Sequence, residues 1–251
     1  MEALSIVSGA DDAFISRIDV AAGWPDDSAI VRSACLYDAT RYDESLFRIL
    51  GIAKPEQLQQ AVIKRKAEFL AGRYCALRAL ELAGLPGSHI GIGSHRQPIW
   101  PEDICGAISH TRQLAVAAVA YGTDVYGVGV DVEEEFTADA MGQIQSFVLN
   151  ADERLLLSGV PLHREQLVTL IYSIKESFFK AAFPLVQRYF DFDAISLLKI
   201  DISQGECCLQ INTPLHPLLW EGRRLRGQFS FPQIQGLDTC NVATLVILAK
   251  A

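Results

Sequence analysis

The chain has 251 residues, of which 50% are hydrophobic and 21% are charged, and its formal net charge is -8 at pH 7. This composition is typical of a globular protein with a sizeable core, and the excess of acids argues against a nucleic-acid-binding surface. The longest apolar runs, Leu114–Tyr121 and Val242–Ala249, are far too short to span a bilayer, so we expect no transmembrane segment.

The N-terminus and the cysteines indicate a cytoplasmic protein. The segment Met1–Phe14 carries acids early and lacks the basic region that begins a signal peptide. The 6 cysteines show no C-x-x-C spacing, and Cys207 and Cys208 are adjacent. This pattern favours reduced thiols over a disulfide framework or a zinc site.

In chain order, the first predicted elements are mixed strands and turns over residues 1–50 and a long helix over Glu56–Gly84, whose apolar residues recur at helical spacing. Gly84 is expected to cap this helix, because Pro86 just beyond it cannot continue a helix. The Gly- and Pro-rich stretch that follows predicts a loop with a short strand at Ile90–Ile92.

The rest of the chain is predicted to alternate strands and helices. The expected elements are strands over Ile104–His110, Leu114–Tyr121 and Val125–Glu133, helices over Asn150–Ser158 and Arg164–Phe183, and β-like runs over Ala194–Ile200, Cys207–Ile211, Gly227–Phe231 and Val242–Leu248. The second helix is expected to end before Pro184, because a residue that precedes proline disfavours the helical conformation. Helices mixed with mostly antiparallel strands favour an α+β fold over a doubly wound sheet.

The strand over Val125–Glu133 has two unlike faces. Its valines share one face, and Gly127, Gly129, Asp131 and Glu133 share the other. Two carboxylates about 7 Å apart along a strand repel each other unless a cation lies between them, and the glycines leave room for a ligand to approach the backbone. Binding of Mg²⁺ together with substrate phosphates is the functional interpretation. The alternative is a strand that runs into a solvated acidic turn.

The segment Tyr172–Phe183 carries acid and base on one helical face. Glu176 and Lys180 are one turn apart, so they share a face, and Lys175 lies about 100° away from Glu176. A catalytic helix and an ordinary amphipathic helix with a solvated charged face both fit this pattern.

Two further segments bear on phosphate chemistry. Ile63–Leu80 is the most basic stretch of the chain, and its Arg65 and Arg73 carry guanidinium groups that suit phosphate oxygens, although a solubilising helix face is the common alternative. Ser109 and His110 are adjacent at the end of a predicted strand. A serine-hydrolase interpretation is disfavoured, because there is no G-x-S-x-G elbow and neighbours in sequence do not form a nucleophile–base pair.

Together these segments resemble a known family in type and in order. "RKAEFLAGR", "RQPIWP", "AISH", "GVGVDVEE" and "SIKESFFKA" follow one another between about residues 60 and 185, as they do in the large, monomeric 4′-phosphopantetheinyl transferases that activate surfactin and enterobactin synthetases. The arrangement is most similar to the enterobactin synthase component D subgroup. Tyr172 stands where many members have Trp, and Arg96-Gln97-Pro98 stands where many have Gly-Lys-Pro.

The resemblance implies a reaction and a set of site residues. Members transfer 4′-phosphopantetheine from coenzyme A to a serine of an apo acyl, peptidyl or aryl carrier protein and release 3′,5′-ADP, in siderophore, nonribosomal peptide or polyketide biosynthesis. By resemblance, Asp131, Glu133 and Glu176 hold Mg²⁺, Glu176 is also the base for the serine proton, and Lys180 acts on the departing phosphate. The residues expected to contact coenzyme A are Arg65, Arg73, Arg96, Ser109, His110 and Lys175.

The resemblance also implies the architecture. It predicts a monomer of two pseudo-symmetric α+β lobes of antiparallel sheet packed with helices, over residues 1–123 and 124–251, with the active site in the cleft between them. Beyond Glu135, apolar residues such as Ile144 and Phe147 suggest a docking surface for the carrier protein or else a connector packed on its own lobe. Two alternatives to a transferase stand beside it: a Mg²⁺-dependent phosphohydrolase that uses the same carboxylates, and a non-catalytic binding protein.

Overall fold

The computed structural model of the protein describes residues 13–18, 27–237 and 239–250, so the predictions for residues 1–12 and 19–26 lie outside the described residues. The elements of the first half are β1 (Ile15–Ile18), β2 (Val31–Tyr37), α1 (Ser45–Ile49), α2 (Ile63–Leu82), β3 (Gly91–Ile92), β4 (Pro98–Ile99), β5 (Ile104–His110) and β6 (Leu114–Tyr121). Those of the second half are β7 (Val125–Glu134), α3 (Ala138–Val148), α4 (Ala151–Leu156), α5 (Arg164–Val186), β8 (Ile195–Asp201), β9 (Glu206–Ile211), β10 (Arg224–Ser230) and β11 (Asn241–Ala249).

Two antiparallel sheets organise these elements. The first has the strand order β1-β2-β6-β5, the second has the order β7-β11-β10-β9-β8, and β3 and β4 form a small separate hairpin. Each of the two large sheets is built from its own half of the chain. The mixture of helices with antiparallel sheets confirms the α+β prediction. Within the residues that the structure describes, no helix has the length and apolar character needed to cross a membrane.

Three apolar cores hold the sheets and helices together. Helix α2 packs on the first sheet through a core that contains Leu70 and Leu80. Helix α5 packs on the second sheet through residues such as Ile174 and Phe178. The third core lies between the two sheets and contains Val128, Val130 and Val132 of β7 together with Val116 and Ala118 of β6. The valine face of β7 is therefore buried in a core, as its alternation predicted, and this core lies where the two halves of the molecule meet.

The boundaries of α2 test the predicted long helix. Its end is confirmed: Gly84 has φ +85°, and the amides of Gly84 and Leu85 donate to the carbonyls of Glu81 and Leu80, which is the bonding of a glycine C-cap. Its predicted start was wrong, because the helix begins at Ile63. Residues 56–58 form a separate 3-10 turn that buries Leu58. Leu58 therefore fits the apolar pattern of the predicted helix although it lies outside α2.

Helix α5 continues past the proline that was predicted to end it. Pro184 lies inside the helix, which ends at Val186, because proline removes only one donor and this close to the end the last turn can still form. Gln187 follows in the left-handed region with φ 52°, and its amide donates to the carbonyl of Phe183 at 2.8 Å. Helix α3 was not predicted, although its N-cap Thr137, which accepts from the amide of Ala140, is a recognisable start signal.

Candidate active site

The glycines of β7 bring α5 against the strand. A Cβ atom on Gly129 would lie 1.7 Å from the carbonyl oxygen of Ser177, and one on Gly127 would lie 2.0 Å from that of Ala181. Any side chain at these two positions would therefore displace the helix. The expectation that the glycines leave space for a ligand is wrong in this structure, because the helix backbone occupies that space. The same close approach brings Lys180 of α5 to Asp131 of β7.

Asp131 is the centre of the site. The residue is buried, with 2% relative exposure, and its carboxylate accepts hydrogen bonds from Ser109 at 2.7 Å, Ser173 at 2.8 Å and Lys180 at 2.6 Å. Ser109 belongs to β5 of the first sheet, whereas Ser173 and Lys180 belong to α5. The carboxylate is therefore held by donors from both halves of the molecule, at the place where the halves meet.

Two more carboxylates belong to the same electrostatic group. Burial and, next, the negative charge of Asp131 raise the pKa of Glu133 to about 8, although Lys180 opposes the shift. The pKa of Glu176 is also raised by burial, with Lys180 lowering it and Asp131 raising it. The predicted carboxylates thus share one region in which negative charge is in excess.

The donor set suits a hard cation by its chemistry. Within the part of the chain that the structure describes, no three His, Cys, Asp or Glu side chains form a group that could hold a metal ion. All of the predicted ligands are carboxylate oxygens, however, and an ionised carboxylate has about four acceptor positions, of which Asp131 uses three. Mg²⁺ needs only one or two carboxylates beside substrate phosphates, so the residues fit this ion without a complete protein cage.

A hydrogen-bonded pair, Arg65 and His110, adjoins the carboxylates. The guanidinium of Arg65 lies 3.2 Å from Nε2 of His110 and 3.3 Å from the carboxylate of Glu68. His110 directly follows Ser109, whose hydroxyl bonds to Asp131. Burial lowers the pKa of His110, although Glu68 raises it in part. The start of α2 and the end of β5 therefore meet at the edge of the carboxylate cluster.

Arg73 occupies a different environment from Arg65. It is buried, its guanidinium donates to the carbonyls of Ile90 at 3.2 Å and Gly91 at 2.9 Å, and it lies 5.1 Å from the centroid of the Phe69 ring. Burial lowers its pKa to about 10. Arg73 thus fixes the strand β3 and also lines a cavity of about 250 Å³, and part of its donor capacity serves the protein backbone.

Lys175 does not have the environment that was expected for a phosphate contact. Its side chain is 1% exposed, and its ammonium donates to the Glu153 carboxylate at 2.8 Å and to the carbonyl of Val148 at 2.7 Å. Burial lowers the pKa of Lys175, whereas Glu153 raises it. The prediction that Lys175 contacts coenzyme A is therefore corrected, because its ammonium is paired with Glu153 inside the second half of the molecule. The structure also shows Glu153 in a capping box with Asn150, and the pairing of Glu153 with Lys175 was not predicted from the sequence.

A large cavity lies beside Lys180. It has a volume of about 610 Å³ and separates the β3–β4 region and β5 from the end of α5; its walls include Arg96, Trp100, Phe179, Lys180 and Tyr189. Arg96 is exposed and has φ 65°. A second cavity of about 320 Å³ lies along the same helix and is lined by Glu176 and Phe179. The structure thus brings Arg96 and Lys180 to one cavity.

Apolar residues that follow Glu135 divide into two groups. Met141 and Val148 are buried in the core under α5, and Ile144 packs against that core. Phe147 is 75% exposed. The connector alternative therefore describes most of α3, and Phe147 alone of these residues presents a largely accessible apolar side chain.

Comparison with known proteins gives two family matches. Residues 54–120 match the model described as the 4'-phosphopantetheinyl transferase N-terminal domain, and residues 127–230 match the model described as the 4'-phosphopantetheinyl transferase superfamily.

Curated relatives include enterobactin synthase component D proteins and a 4'-phosphopantetheinyl transferase. The chain is 35% identical to enterobactin synthase component D of Salmonella typhi over 145 residues, which is 58% of this chain and 59% of that protein. It is 39% identical to the Escherichia coli O157:H7 protein of the same name over 137 residues, covering 53% and 63%. It is 34% identical to the 4'-phosphopantetheinyl transferase Svp of Streptomyces mobaraensis over 170 residues, covering 67% of each. The match thus spans 59% of the length of the Salmonella typhi relative.

Proposed function

The chain belongs to the 4'-phosphopantetheinyl transferase superfamily, and from this premise we propose that it transfers 4′-phosphopantetheine from coenzyme A to a serine of an apo carrier protein. The serine oxygen attacks the β-phosphorus of the pyrophosphate, and 3′,5′-ADP leaves. The observation that carries the proposal is Asp131, a buried carboxylate held by donors from both halves of the molecule with two carboxylates of raised pKa beside it.

Asp131, Glu133 and Glu176 would hold Mg²⁺. When bound, the ion would take up charge on the pyrophosphate oxygens. The repulsion among the three carboxylates supports this assignment, because a cation relieves it.

Lys180 and Glu176 are the proposed catalytic residues. The ammonium of Lys180 donates to Asp131 and to the carbonyl of Val130, so one of its three N–H donors remains for an oxygen of the departing phosphate. The carboxylate of Glu176 accepts protons and hydrogen bonds only when it is ionised, which is the state that a base requires. It would take the proton of the attacking serine.

Arg65, His110 and Arg96 are proposed to bind the phosphates and adenosine of coenzyme A, with Ser109 fixing Asp131. Arg65 and His110 are hydrogen-bonded to each other, and Arg96 lines the cavity that also contains Lys180. Arg73 is proposed to contact coenzyme A through the guanidinium N–H groups that do not bond to the carbonyls of Ile90 and Gly91. Lys175 is not part of this set, because its ammonium bonds to Glu153 and Val148.

The proposed architecture has two pseudo-symmetric lobes, residues 1–123 and 124–251, around this site. Each half has one large antiparallel sheet with one long helix packed on it, and the two matched family segments end at residue 120 and begin at residue 127. We propose a cytoplasmic monomer that activates acyl, peptidyl or aryl carrier proteins, in siderophore or related nonribosomal peptide and polyketide biosynthesis. The names of the relatives support the siderophore pathway.

The decisive experiment uses the purified protein with coenzyme A, Mg²⁺ and a panel of apo carrier proteins, and reads the mass of each carrier. At least one carrier is expected to gain the mass of 4′-phosphopantetheine, and the gain should disappear with a chelator or when the carrier serine is replaced by alanine. Mg²⁺-dependent cleavage of coenzyme A without any carrier would favour a phosphohydrolase. Absence of any metal-dependent turnover would contradict both enzymes and favour a binding protein.

A further inference from the structure

A row of buried hydroxyl groups lies behind Asp131. It consists of Ser173 and Ser177 on α5 and Thr244 on β11, and each of these residues has 0% relative exposure. Thr244 is the direct partner of Asp131 in the register of β7 and β11. Since directly opposite residues project to the same face of a sheet, both side chains point at α5.

The hydroxyls form one continuous set of hydrogen bonds that ends at the carboxylate. The oxygens of Ser173 and Thr244 are 2.9 Å apart, and those of Thr244 and Ser177 are 2.7 Å apart. Ser177 also lies 3.2 Å from the carbonyl oxygen of Thr244. Ser173 lies 2.8 Å from Oδ2 of Asp131.

The number of available hydrogens determines which hydroxyl donates in each bond of this row. An ionised carboxylate only accepts, so the single hydroxyl hydrogen of Ser173 goes to Asp131. Ser173 must then accept from Thr244, whose own hydrogen is used in that bond. Ser177 in turn donates toward Thr244. The hydrogens thus run from Ser177 through Thr244 and Ser173 to Oδ2 of Asp131.

The two oxygens of Asp131 are therefore held differently. Oδ1 accepts from Ser109 and Lys180, both of which are groups of the proposed cleft. Among the residues that the structure describes, Oδ2 accepts from Ser173 alone, and Ser173 is oriented by Thr244. One acceptor position of Oδ2 is left for a further ligand, and Ser173 determines which way that position faces.

We propose that Thr244 is a positioning residue that acts through Ser173 to orient Oδ2 of Asp131 toward the divalent cation. The inference rests on the proposed function, and it assigns a role to the C-terminal strand, in which no family motif was found. Groups that orient a metal ligand typically change metal affinity by about 10- to 100-fold when they are removed. A merely structural hydroxyl network would change stability without changing cation binding.

The test replaces single hydroxyls and measures cation binding directly. Thr244→Val removes the hydroxyl at nearly constant volume, Thr244→Ser keeps it, and Ser173→Ala removes the final donor. Thr169→Val is the matched control, because Thr169 is as fully buried as Thr244 and lies on α5, the helix that carries Ser173. Its hydroxyl donates to the carbonyl of Glu165 and accepts from the amide of Phe136, so it makes no bond to the row behind Asp131. Mn²⁺ serves as the probe, and its binding in the presence of coenzyme A is read by electron paramagnetic resonance.

We expect Thr244→Val to weaken Mn²⁺ binding about tenfold, Ser173→Ala to weaken it at least as much, and Thr244→Ser to restore it. Thr169→Val should lower the melting temperature and leave Mn²⁺ binding unchanged. Unchanged binding in folded Thr244→Val, or an equal loss in Thr169→Val, would overturn the inference. Should Thr244→Val not fold, Ser173→Ala decides in the same way, since it leaves β11 untouched.

The carrier assay separates this inference from the function it rests on. If the wild-type protein binds Mn²⁺ with the expected dependence on Thr244 but modifies no carrier, the proposed transfer fails and the positioning role stands. If it modifies carriers while Thr244→Val shows wild-type Mn²⁺ binding, the transfer stands and the positioning role fails. Absence of Mn²⁺ binding by the wild-type protein contradicts the inference outright.

Discussion

Helix α5 carries two lysine–carboxylate ion pairs little more than one turn apart, and they have different surroundings. In the pair of Lys175 and Glu153 the side chains are 1% and 0% exposed, and in the pair of Lys180 and Asp131 they are 23% and 3% exposed. The first pair lies wholly within the second half of the molecule. The second lies where the halves meet, because Asp131 also bonds to Ser109 of the first sheet.

The difference lies in what each pair leaves unused. Glu153 accepts from Lys175 and also from the amides of Asn150 at 2.9 Å and Leu197 at 2.8 Å, so it ties α4 and β8 to α5. Its charge and that of Lys175 are satisfied internally. The Lys180 pair keeps a free donor, a free acceptor and access to a cavity. Identical chemistry therefore serves structure in one place and is available for a ligand in the other.

The largest expected effect comes from breaking the internal pair. Glu153→Gln leaves the ammonium of Lys175 buried without its counter-charge, which costs about 3–5 kcal/mol. Urea unfolding should register this loss, and the double variant Glu153→Leu with Lys175→Met should recover most of it because no buried charge remains. A loss below about 1 kcal/mol in Glu153→Gln, the range of an exposed pair, would mean that the pair does not hold α4 to α5.

Glu176 lies between the two lysines in sequence and belongs to the site alone. Glu176→Gln keeps the size and one oxygen but removes the proton acceptor, so we expect turnover to fall by about 10³-fold. Raising the Mg²⁺ concentration should not restore it, because a metal cannot replace a base in the chemical step. Steady-state transfer measured over a Mg²⁺ series checks this. Recovery to near wild-type turnover at high Mg²⁺ would identify Glu176 as a metal ligand only.

Lys180→Met tests the site pair against the internal one. Removing the cation that faces the departing phosphate should lower turnover by about 10²-fold. The unfolding free energy should fall by about 1.5–3 kcal/mol, less than in Glu153→Gln, because Asp131 keeps its two serine donors. Transfer rate and urea unfolding are measured on the same sample. A stability loss as large as that of Glu153→Gln would show that both ion pairs mainly stabilise the fold.

A change that leaves both ion pairs intact tests the carrier surface. Phe147→Asp places a charge on the exposed end of α3 and should raise the KM for the carrier about tenfold, which corresponds to about 1.4 kcal/mol, with coenzyme A binding by calorimetry unchanged. Leu82→Asp is the control, since Leu82 is 53% exposed at the end of α2. Ile144→Asp should instead reduce stability, because Ile144 packs against the core. An unchanged carrier KM in Phe147→Asp would remove α3 from the docking surface.

The smallest effect is expected at a surface cluster, which completes the comparison. Hydrogen bonds from Lys54 and then Lys66 lower the pKa of Glu44 from 4.5 to about 2. A depressed folded-state pKa stabilises the protein above the unfolded value and loses that contribution as the pH falls toward the folded value. Glu44→Gln should therefore be slightly less stable than the wild type above pH 4.5, and the gap should close as the pH falls. Thermal unfolding across this range measures it; a gap that is constant with pH would contradict the ion pairing.

Local periodicity was enough to predict much of the fold. Strands β5 and β6 begin and end at the predicted residues, and the valines of β7 face a core as their alternation required. The faces of β7 follow from the alternation of side chains along a strand, whereas β6 was predicted from a continuous apolar run. The start of α2 and the passage of α5 beyond Pro184 were not predictable in this way, because tertiary packing decides whether a turn continues as a helix.

The candidate site likewise has features that the sequence predicted and features that depended on tertiary packing. The sequence by itself determined the residue types that hold charge: a strand with Asp131 and Glu133 on one face, and a helix with Glu176 and Lys180 on another. Only the tertiary structure decided which of them meet. Lys175 finds Glu153 through the packing of α4, and the β7 glycines admit the helix backbone. Thr244 faces Asp131 only through the register of β11. The spacing of residues along the chain determines which side chains share a face of a strand or helix. Sheet register and helix packing determine which side chains that face contacts, and both depend on burial of the whole core.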